Sequence, residues 1–258
     1  MHYLSVAQAR ATPGLRLVLT QGFPNPWGEA AKALFALRAL PFAAVAQMPA
    51  DANAELVEWT GARNAPVAVM DGEPPVTGWL DMVLLAERLG SGPSLLPDDP
   101  LDRALAIGLS HEICGRDGFG WCRRIILSAP ALKAAQGAAH MPDDRLAMWQ
   151  AYGVTLAALE GATARAIAIL AALTRQLERQ RDRGSPYLVG DRLSACDIHW
   201  ACFSNMIAPL PDAACPMPDM LRQRYGDIDA PLAAALDPLL LAHRDRIFAR
   251  HIALPLDF

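Results

Sequence analysis

The sequence predicts an α+β domain of element order βαβ-α-ββα with a mixed four-stranded sheet, followed by an all-α helical bundle. Three observations support this fold class. Apolar, β-prone runs occur before residue 90, a Pro/Gly/Ser-rich seam follows, and every later segment has a helical pattern. We therefore divide the chain into an irregular lead at 1–14, an α+β domain at 15–90, a linker at 91–100 and a helical domain at 101–258.

The composition is that of a globular chain with a large core. Hydrophobic residues make up 53% and charged residues 19% of the 258 residues. The net charge of -4 gives no reason to expect nucleic acid or an anionic membrane surface as a partner. No charge-free apolar stretch of about 18 residues and no signal peptide is evident, so we expect a cytoplasmic protein that spans no membrane. The five cysteines lack metal-type spacing and predict free thiols, with no metal site.

Local signals define the elements of the first domain. Leu15 to Thr20 is an apolar strand, and Asn25-Pro26 predicts a helix start with Asn as the N-cap. Pro66 opens an apolar run that closes at the turn dipeptide Asp71-Gly72, and Glu73 to Thr77 is its predicted hairpin partner. The remaining predicted elements are a strand at Pro41–Gln47, a helix at Asp51–Trp59 and a helix at Gly78–Leu89.

The second domain has longer helical patterns and one well-defined helix start. We predict one helix from Leu101 to about Leu127 with a bend near 115–120, and a long helix from Asp143 to Asp182 whose first two-thirds are buried. Ser194 and Asp197 have the spacing of a capping box. Leu193 and Ile198 flank it with the spacing of a hydrophobic staple.

The segment from Tyr187 to Asp197, Tyr-Leu-Val-Gly-Asp-Arg-Leu-Ser-Ala-Cys-Asp, closely resembles the capping segment of the all-helical domain in the glutathione S-transferase superfamily. The element order of the first half resembles the thioredoxin-like domain that precedes the helical domain in that family. The resemblance covers residues 15–250. It implies glutathione as a co-substrate, a small-molecule electrophile as its partner, and a homodimer.

On the glutathione side, the resemblance implies that Ala65-Pro66 is the family's cis-proline turn. In that turn the Ala65 N–H and C=O pair with an extended peptide; the alternative is that Pro66 only opens a strand. Gly78 and Trp79 stand where the family has Glu/Gln-Ser, so backbone amides at the helix start are left to bind a carboxylate. Asp81 either reaches an ammonium group or only complements the helix dipole.

On the thiol side, Asn25 stands where the family has Ser or Cys. Its amide either donates a hydrogen bond to a thiolate or serves only as a helix cap. The hydroxyl of Thr20 is the second candidate donor, with an ordinary strand residue as the alternative. The stretch from Asn25 to Gly28 contains no sulfur, so dithiol reduction at this position is excluded.

The electrophile site of this family lies between the two domains, beside the first helix of the second domain. Trp27, His111 and Arg116 are the candidate residues of this co-substrate cleft, and His111 is equally well explained as a structural histidine. Arg123-Arg124 is interpreted as an exposed charged face, with attraction of an acidic ligand as the alternative.

Three functional hypotheses follow. The first is a glutathione transferase-like enzyme that joins a thiol to a small apolar electrophile. The second is a non-catalytic ligand-binding or interaction protein that has lost glutathione recognition, as Asn25 and Gly78-Trp79 suggest. The third is an enzyme that uses another anionic ligand in the same cleft.

Overall fold

The computed structural model describes residues 1–49, 51–136 and 153–258. In chain order the elements are α1 Val6–Ala11, β1 Arg16–Thr20, α2 Pro26–Leu37, β2 Ala43–Gln47, α3 Ala54–Thr60, β3 Val67–Val69, α4 Trp79–Leu89, α5 Pro100–Cys114, α6 Phe119–Gln136, α7 Leu156–Asp182, α8 Ala195–Phe203, α9 Asp219–Gly226, α10 Ala230–Ala235 and α11 Pro238–His251.

Strand β1 is the centre of a mixed sheet with the order β2-β1-β3. It runs parallel to β2, with Arg16 opposite Ala43, and antiparallel to β3, with Arg16 opposite Val69. Leu17 and Leu19 of β1 belong to the large core that continues into the helical half, while Val18 faces a smaller core against α1 and α3. The sheet is therefore covered on both faces, and the predicted α+β arrangement is confirmed.

The predicted fourth strand, Glu73 to Thr77, is reduced to a single bridge. Ala68 and Val76 exchange two backbone hydrogen bonds of 2.8 Å, and no longer strand forms there among the described residues. Pro74 and Pro75 precede Val76, and since proline has no N–H, they cannot extend the ladder. The hairpin was predicted correctly, but the length of its second strand was not.

The irregular lead predicted for residues 1–14 is wrong, because it contains α1. Ser5 and Gln8 form a capping box at its start, with the Gln8 N–H donating to the Ser5 hydroxyl and the Ser5 N–H donating to the Gln8 side chain. Leu4 adds a bridge to Val45 of β2. The sequence therefore contained a Ser-x-x-Gln pattern, which is typical of a helix start.

The helix predicted from Leu101 to Leu127 is two helices, α5 and α6. The chain between them has positive φ at Asp117, and a Cβ at Gly118 would lie 2.7 Å from the His111 carbonyl oxygen. This tight loop ends α5 at Cys114, because residues in that geometry cannot continue the helical ladder.

The long predicted helix is described from Leu156, and its predicted part between Asp143 and residue 152 lies outside the described residues. Only one stripe of α7 is buried, including Ala166, Leu170 and Leu173, so the prediction that its first two-thirds are buried is wrong. Within the described ranges one helix, α7, is long enough and apolar enough to cross a membrane. By itself this is weak evidence, because core helices of other proteins pass the same test.

Arg38, at the end of α2, binds the end of α4 and the start of the linker between the two halves. Its guanidinium donates hydrogen bonds to the backbone carbonyls of Ala86, Glu87, Gly90 and Gly92. The Gly92 N–H donates back to the Arg38 carbonyl at 2.9 Å. The boundary at 91–100 itself stays a prediction.

Candidate functional site

The start of α2 carries the first predicted site residue. Asn25 is the N-cap of α2, and its Oδ1 accepts a hydrogen bond from the Trp27 N–H at 3.2 Å, with Pro26 in the first helical turn. The predicted helix cap is therefore confirmed. Capping uses only the oxygen of the Asn25 amide, which leaves its NH₂ group for other partners.

The NH₂ group of Asn25 joins β1 to the loop before β3. It donates to Thr20 Oγ1 at 3.2 Å and to the carbonyl oxygen of Ala65 at 3.4 Å. Thr20 in turn donates its hydroxyl hydrogen to Gln47 Oε1 at 3.0 Å. The donors of both predicted thiol-side residues are therefore already engaged within the protein, and an added thiolate must displace one of these bonds.

The Ala65–Pro66 peptide bond is cis, as predicted. Ala65 and Pro66 are both half-buried, at the edge of the sheet beside the start of α2. The structure thus brings Thr20, Asn25 and Ala65 together, although 45 residues of sequence separate the first from the last.

At the start of α4, an acidic side chain of the protein folds back over the helix end. Gly78 is the N-cap without a side-chain hydrogen bond, and a Cβ at this position would require the carboxylate of Asp81 to move. A carboxylate is stabilised at a helix N-terminus by the helix dipole. The negative charge of Asp81 lies beside this helix start, where a bound carboxylate would otherwise be expected, and its contact with a ligand ammonium group stays a prediction.

Trp79 points into an inner cavity between the two halves. The cavity is lined by Trp27, Pro66, Trp79, Cys114 and His199, among other residues. The Trp79 ring stands edge-on to His199 at a centroid distance of 5.7 Å and lies 6.0 Å from the ring of His111. The Trp79 ring therefore forms part of the wall of this cavity, beside the rings of His111 and His199.

The titratable groups of the inner cavity are neutral. His199 is buried, and its Nδ1 forms a 2.9 Å hydrogen bond with the Ser110 hydroxyl. Burial lowers the pKa of His199 to about 3. Cys114 donates its thiol to the Ser110 carbonyl, and burial raises the pKa of this thiol well above its usual value. Neither side chain is an acid, a base or a thiolate at neutral pH.

The buried His199 predicts a loss of stability in acid. The pKa of His199 is lower in the folded state than in the unfolded state. As the pH falls below about 6.5, the imidazole therefore takes up a proton in the unfolded state but not in the folded state. We expect the free energy of unfolding to be about 2 kcal/mol lower at pH 5 than at pH 7 from this residue. Urea unfolding of native protein and His199→Asn at both pH values measures it. The exposed His2→Asn is the control, and an equal acid loss in His199→Asn contradicts the assignment.

Trp27 separates the inner cavity from a larger outer cleft and lines both. Its Nε1 donates to the Cys114 carbonyl at 2.9 Å, and its ring stands edge-on to Phe203 at 4.7 Å. The guanidinium of Arg124 lies 4.7 Å above the same ring and 5.0 Å from the ring of Trp121. Trp27 therefore forms a wall between the two spaces, and its role in a co-substrate cleft stays a prediction.

The outer cleft has a volume of about 240 Å³, just below the roughly 300–1,000 Å³ range of small-molecule sites. The first half contributes the predicted residues Thr20, Asn25 and Trp27. The sequence did not indicate most of the other walls, because they come from distant helices. The full lining consists of Thr20, Phe23, Asn25, Pro26, Trp27, Pro49, Arg124, Leu127, Ser128, Met206, Leu221, Arg224 and Tyr225.

Two predicted cleft residues lie elsewhere. His111 is exposed near Trp79, and Arg116 is exposed in the loop after α5, so neither lines the outer cleft. The helix ends at Cys114, which turns Arg116 away, and Glu112 pairs with Arg165 of α7 at 2.7 Å. Arg123, interpreted as part of an exposed face, is fully buried and donates to the Met206 and Tyr225 carbonyls.

The five cysteines are buried free thiols. Across 1–49, 51–136 and 153–258, no group of three or more His, Cys, Asp or Glu side chains has the arrangement of a metal site. The polar groups that face the outer cleft suit hydrogen bonding to an organic ligand.

Comparisons with known proteins identify the fold. No family model matches the sequence, and no curated protein matches it. Solved structures match over most of the chain. The β-etherase LigF from Sphingobium sp. strain SYK-6 is 21% identical, with a TM-score of 0.64 over 92% of this chain and 96% of that chain. A glutathione S-transferase from Methylobacterium radiotolerans, in complex with glutathione sulfonate, is 19% identical, with a TM-score of 0.62 over 95% and 97%.

A glutathione S-transferase from Methylobacillus flagellatus KT with GSH bound gives a TM-score of 0.60 at 14% identity, over 92% of this chain and 95% of that chain. The chain has the glutathione S-transferase fold. At these identities the likeness is one of fold, and it confirms the predicted thioredoxin-like half followed by a helical half. The Ala65–Pro66 bond of this fold is cis, and its role in binding glutathione stays a prediction.

Proposed function

We propose that this protein is a glutathione transferase-like enzyme that binds glutathione or a related thiol at Ala65 and transfers it to a small apolar electrophile in the outer cleft. Neighbours of the same fold, such as the transferases crystallised with glutathione sulfonate and with GSH, support the choice of ligand. A cytoplasmic location and a homodimer remain part of this proposal.

One observation carries the proposal: Asn25 touches both the expected peptide partner and the apolar space. Its NH₂ donates to the Ala65 carbonyl, and the same residue lines the outer cleft. A thiol held at Ala65 would therefore sit at the edge of a cleft able to hold its reaction partner. Holding two reactants in the reacting geometry can lower the barrier by about 7–11 kcal/mol.

The reaction needs a thiolate, because an unperturbed thiol has a pKa of about 8.5 and is mostly protonated at pH 7. A ligand N–H that donates to the Ala65 carbonyl takes the place of the long Asn25 bond to that oxygen. One Asn25 hydrogen then becomes available to the sulfur and stabilises its anionic form. The thiolate attacks the electrophilic carbon, a C–S bond forms, and the leaving group departs with the electron pair while the thiol proton goes to solvent.

Titration calorimetry with glutathione, combined with substitutions at Asn25, tests this proposal. We expect millimolar glutathione to give a saturable heat, and the pH midpoint for the ultraviolet absorbance of the bound thiolate to lie below that of free glutathione. Asn25→Ala removes both the cap and the donor, and we expect its midpoint to rise toward the free value. Asn25→Ser is the matched control, because its hydroxyl caps the helix and also donates.

The outcomes separate the roles of Asn25. If the pH midpoint is unchanged in Asn25→Ala, Asn25 serves only as a helix cap. Its replacement then lowers the free energy of unfolding by about 1 kcal/mol and leaves the ionisation of the bound thiol unchanged. The absence of any heat at millimolar glutathione removes the transferase proposal altogether.

A second candidate function, a non-catalytic ligand-binding protein, is favoured by the start of α4. The carboxylate of Asp81 lies against Gly78, and Trp79 fills the interior, so the side-chain pair that holds glutathione in the family has no counterpart. If glutathione gives no heat while small aromatic molecules bind in the outer cleft, this second function replaces the first.

A further inference from the structure

Among the described residues, the charged side chains that line the outer cleft have one sign. Arg124 and Arg224 contribute guanidinium groups to it, and among the described residues that line the cleft none is Asp or Glu. The other polar members, such as Ser128, are neutral hydrogen-bonding groups. A cleft with cationic walls and low-dielectric surroundings concentrates anions.

Arg224 is the cation best placed to meet a ligand. It lies near the end of α9, is exposed, and its Nη2 donates to the Leu127 carbonyl of α6 at 2.8 Å. This hydrogen bond holds the guanidinium between α9 and α6, at the outer cleft. Within the described ranges no carboxylate pairs with Arg224, so its charge is not neutralised by an ion pair.

The neighbouring Tyr225 supplies a hydroxyl beside these cations. Burial raises the pKa of Tyr225, while the nearby charges of Arg124 and Arg224 act in the opposite direction. The hydroxyl therefore stays protonated at neutral pH. Its backbone is fixed from behind, because the buried Arg123 donates to the Tyr225 carbonyl at 3.2 Å.

The rest of the cleft suits a flat ring. Phe23, Trp27 and Tyr225 present aromatic side chains, and Leu127 and Leu221 add aliphatic surface. Aromatic rings pack edge-on or offset against one another with a gain beyond their buried area. The combination of rings with an arginine at the mouth matches a ligand that has an apolar ring and an acidic substituent.

We propose that the outer cleft selects small aromatic anions, in which the ring packs beside Trp27 and the carboxylate or sulfonate meets Arg224. The inference rests on the proposed function, since it names the class of electrophile that the transfer reaction would accept. The binding step itself needs no glutathione, which allows the two ideas to be tested apart.

Calorimetry with 2-naphthoate and its neutral isostere 2-naphthamide, in low salt and without glutathione, tests the selection. We expect native protein to bind the carboxylate about tenfold more tightly than the amide, the worth of one charge-assisted hydrogen bond. In Arg224→Gln this preference falls to about twofold or less, and in Arg224→Lys much of it returns. Arg246→Gln on the exposed face of α11 makes the same charge change away from the cleft and keeps the full preference.

Equal affinity of native protein for the two compounds overturns the inference, and so does a preference that persists unchanged in Arg224→Gln. Thermal unfolding of Arg224→Gln checks that loss of the bond to Leu127 has not unfolded α9. If glutathione gives no heat of binding but the protein still prefers naphthoate to naphthamide, the transfer reaction is ruled out and the anion site is kept. The reverse result removes the anion site but not the transfer reaction.

Discussion

Replacing Asp197 by alanine is expected to lower the free energy of unfolding by about 3–5 kcal/mol. Asp197 is fully buried at the start of α8, where its carboxylate accepts the Leu188 N–H at 2.7 Å, the Ser194 N–H at 2.9 Å and the Ser194 hydroxyl at 2.8 Å. The substitution leaves three buried donors without an acceptor, and each unsatisfied donor costs about 1–3 kcal/mol. The Nε2 of His243 lies 3.0 Å from the same carboxylate but outside hydrogen-bond geometry, so we assign it no share.

Urea unfolding followed by circular dichroism measures this loss. Asp182→Ala, at an exposed position at the end of α7, removes the same charge where no hydrogen bond or ion pair to the side chain is found among the described residues, and it should stay within about 0.5 kcal/mol of native protein. Asp197→Asn keeps one acceptor oxygen and should fall between the two. A loss of less than 1 kcal/mol in Asp197→Ala, by linear extrapolation, would show that the capping box contributes little to this fold.

Replacing Arg38 by alanine is expected to cost about 3 kcal/mol and to loosen the seam between the halves. Arg38 is 7% exposed, and its guanidinium satisfies the carbonyls of Ala86, Glu87, Gly90 and Gly92. It also lies 3.3 Å from the carboxylate of Glu87, whose side chain is mostly buried. Alanine would remove the guanidinium donor from these carbonyls, of which Ala86 keeps the Gly90 N–H, and would leave the Glu87 carboxylate without its counter-charge.

The same unfolding measurement, with limited proteolysis of the folded protein, checks this expectation. Arg38→Lys keeps the charge but has one nitrogen in place of the guanidinium fork, so we expect it to recover only part of the stability. Arg179→Ala, on the exposed side of α7, is the neutral comparison. Native-like stability of Arg38→Ala together with unchanged cleavage after Gly90 would mean that other contacts hold the seam.

The parts of the fold that the sequence predicted are those encoded by neighbours in the chain. Asn25-Pro26 and the Ser194–Asp197 pair are confirmed because a helix cap needs only residues two or three positions apart. The Ser5–Gln8 pair carried the same kind of signal. The shortened fourth strand also had a local cause in Pro74-Pro75.

The outer cleft had no such signal. Thr20 and Arg224 line the same space but are 204 residues apart, so no spacing rule connects them. The side-chain directions of Trp79 and Arg123 depend on which helix lies opposite, and that is a property of packing. The predicted thiol-side residues Thr20 and Asn25 lie beside Ala65 because β1 and β3 are neighbours in the sheet and α2 begins shortly after β1.

Trp27 has a consequence for the whole interface. It stands one helical position beyond Pro26, on the same turn that begins with Asn25, and its indole is tied to the Cys114 carbonyl at the end of α5. A shift of α5 would be transmitted through this one ring to the Asn25 amide and so to Ala65. The position of α5 in the helical half therefore bears on the start of α2, where the thiol is proposed to lie.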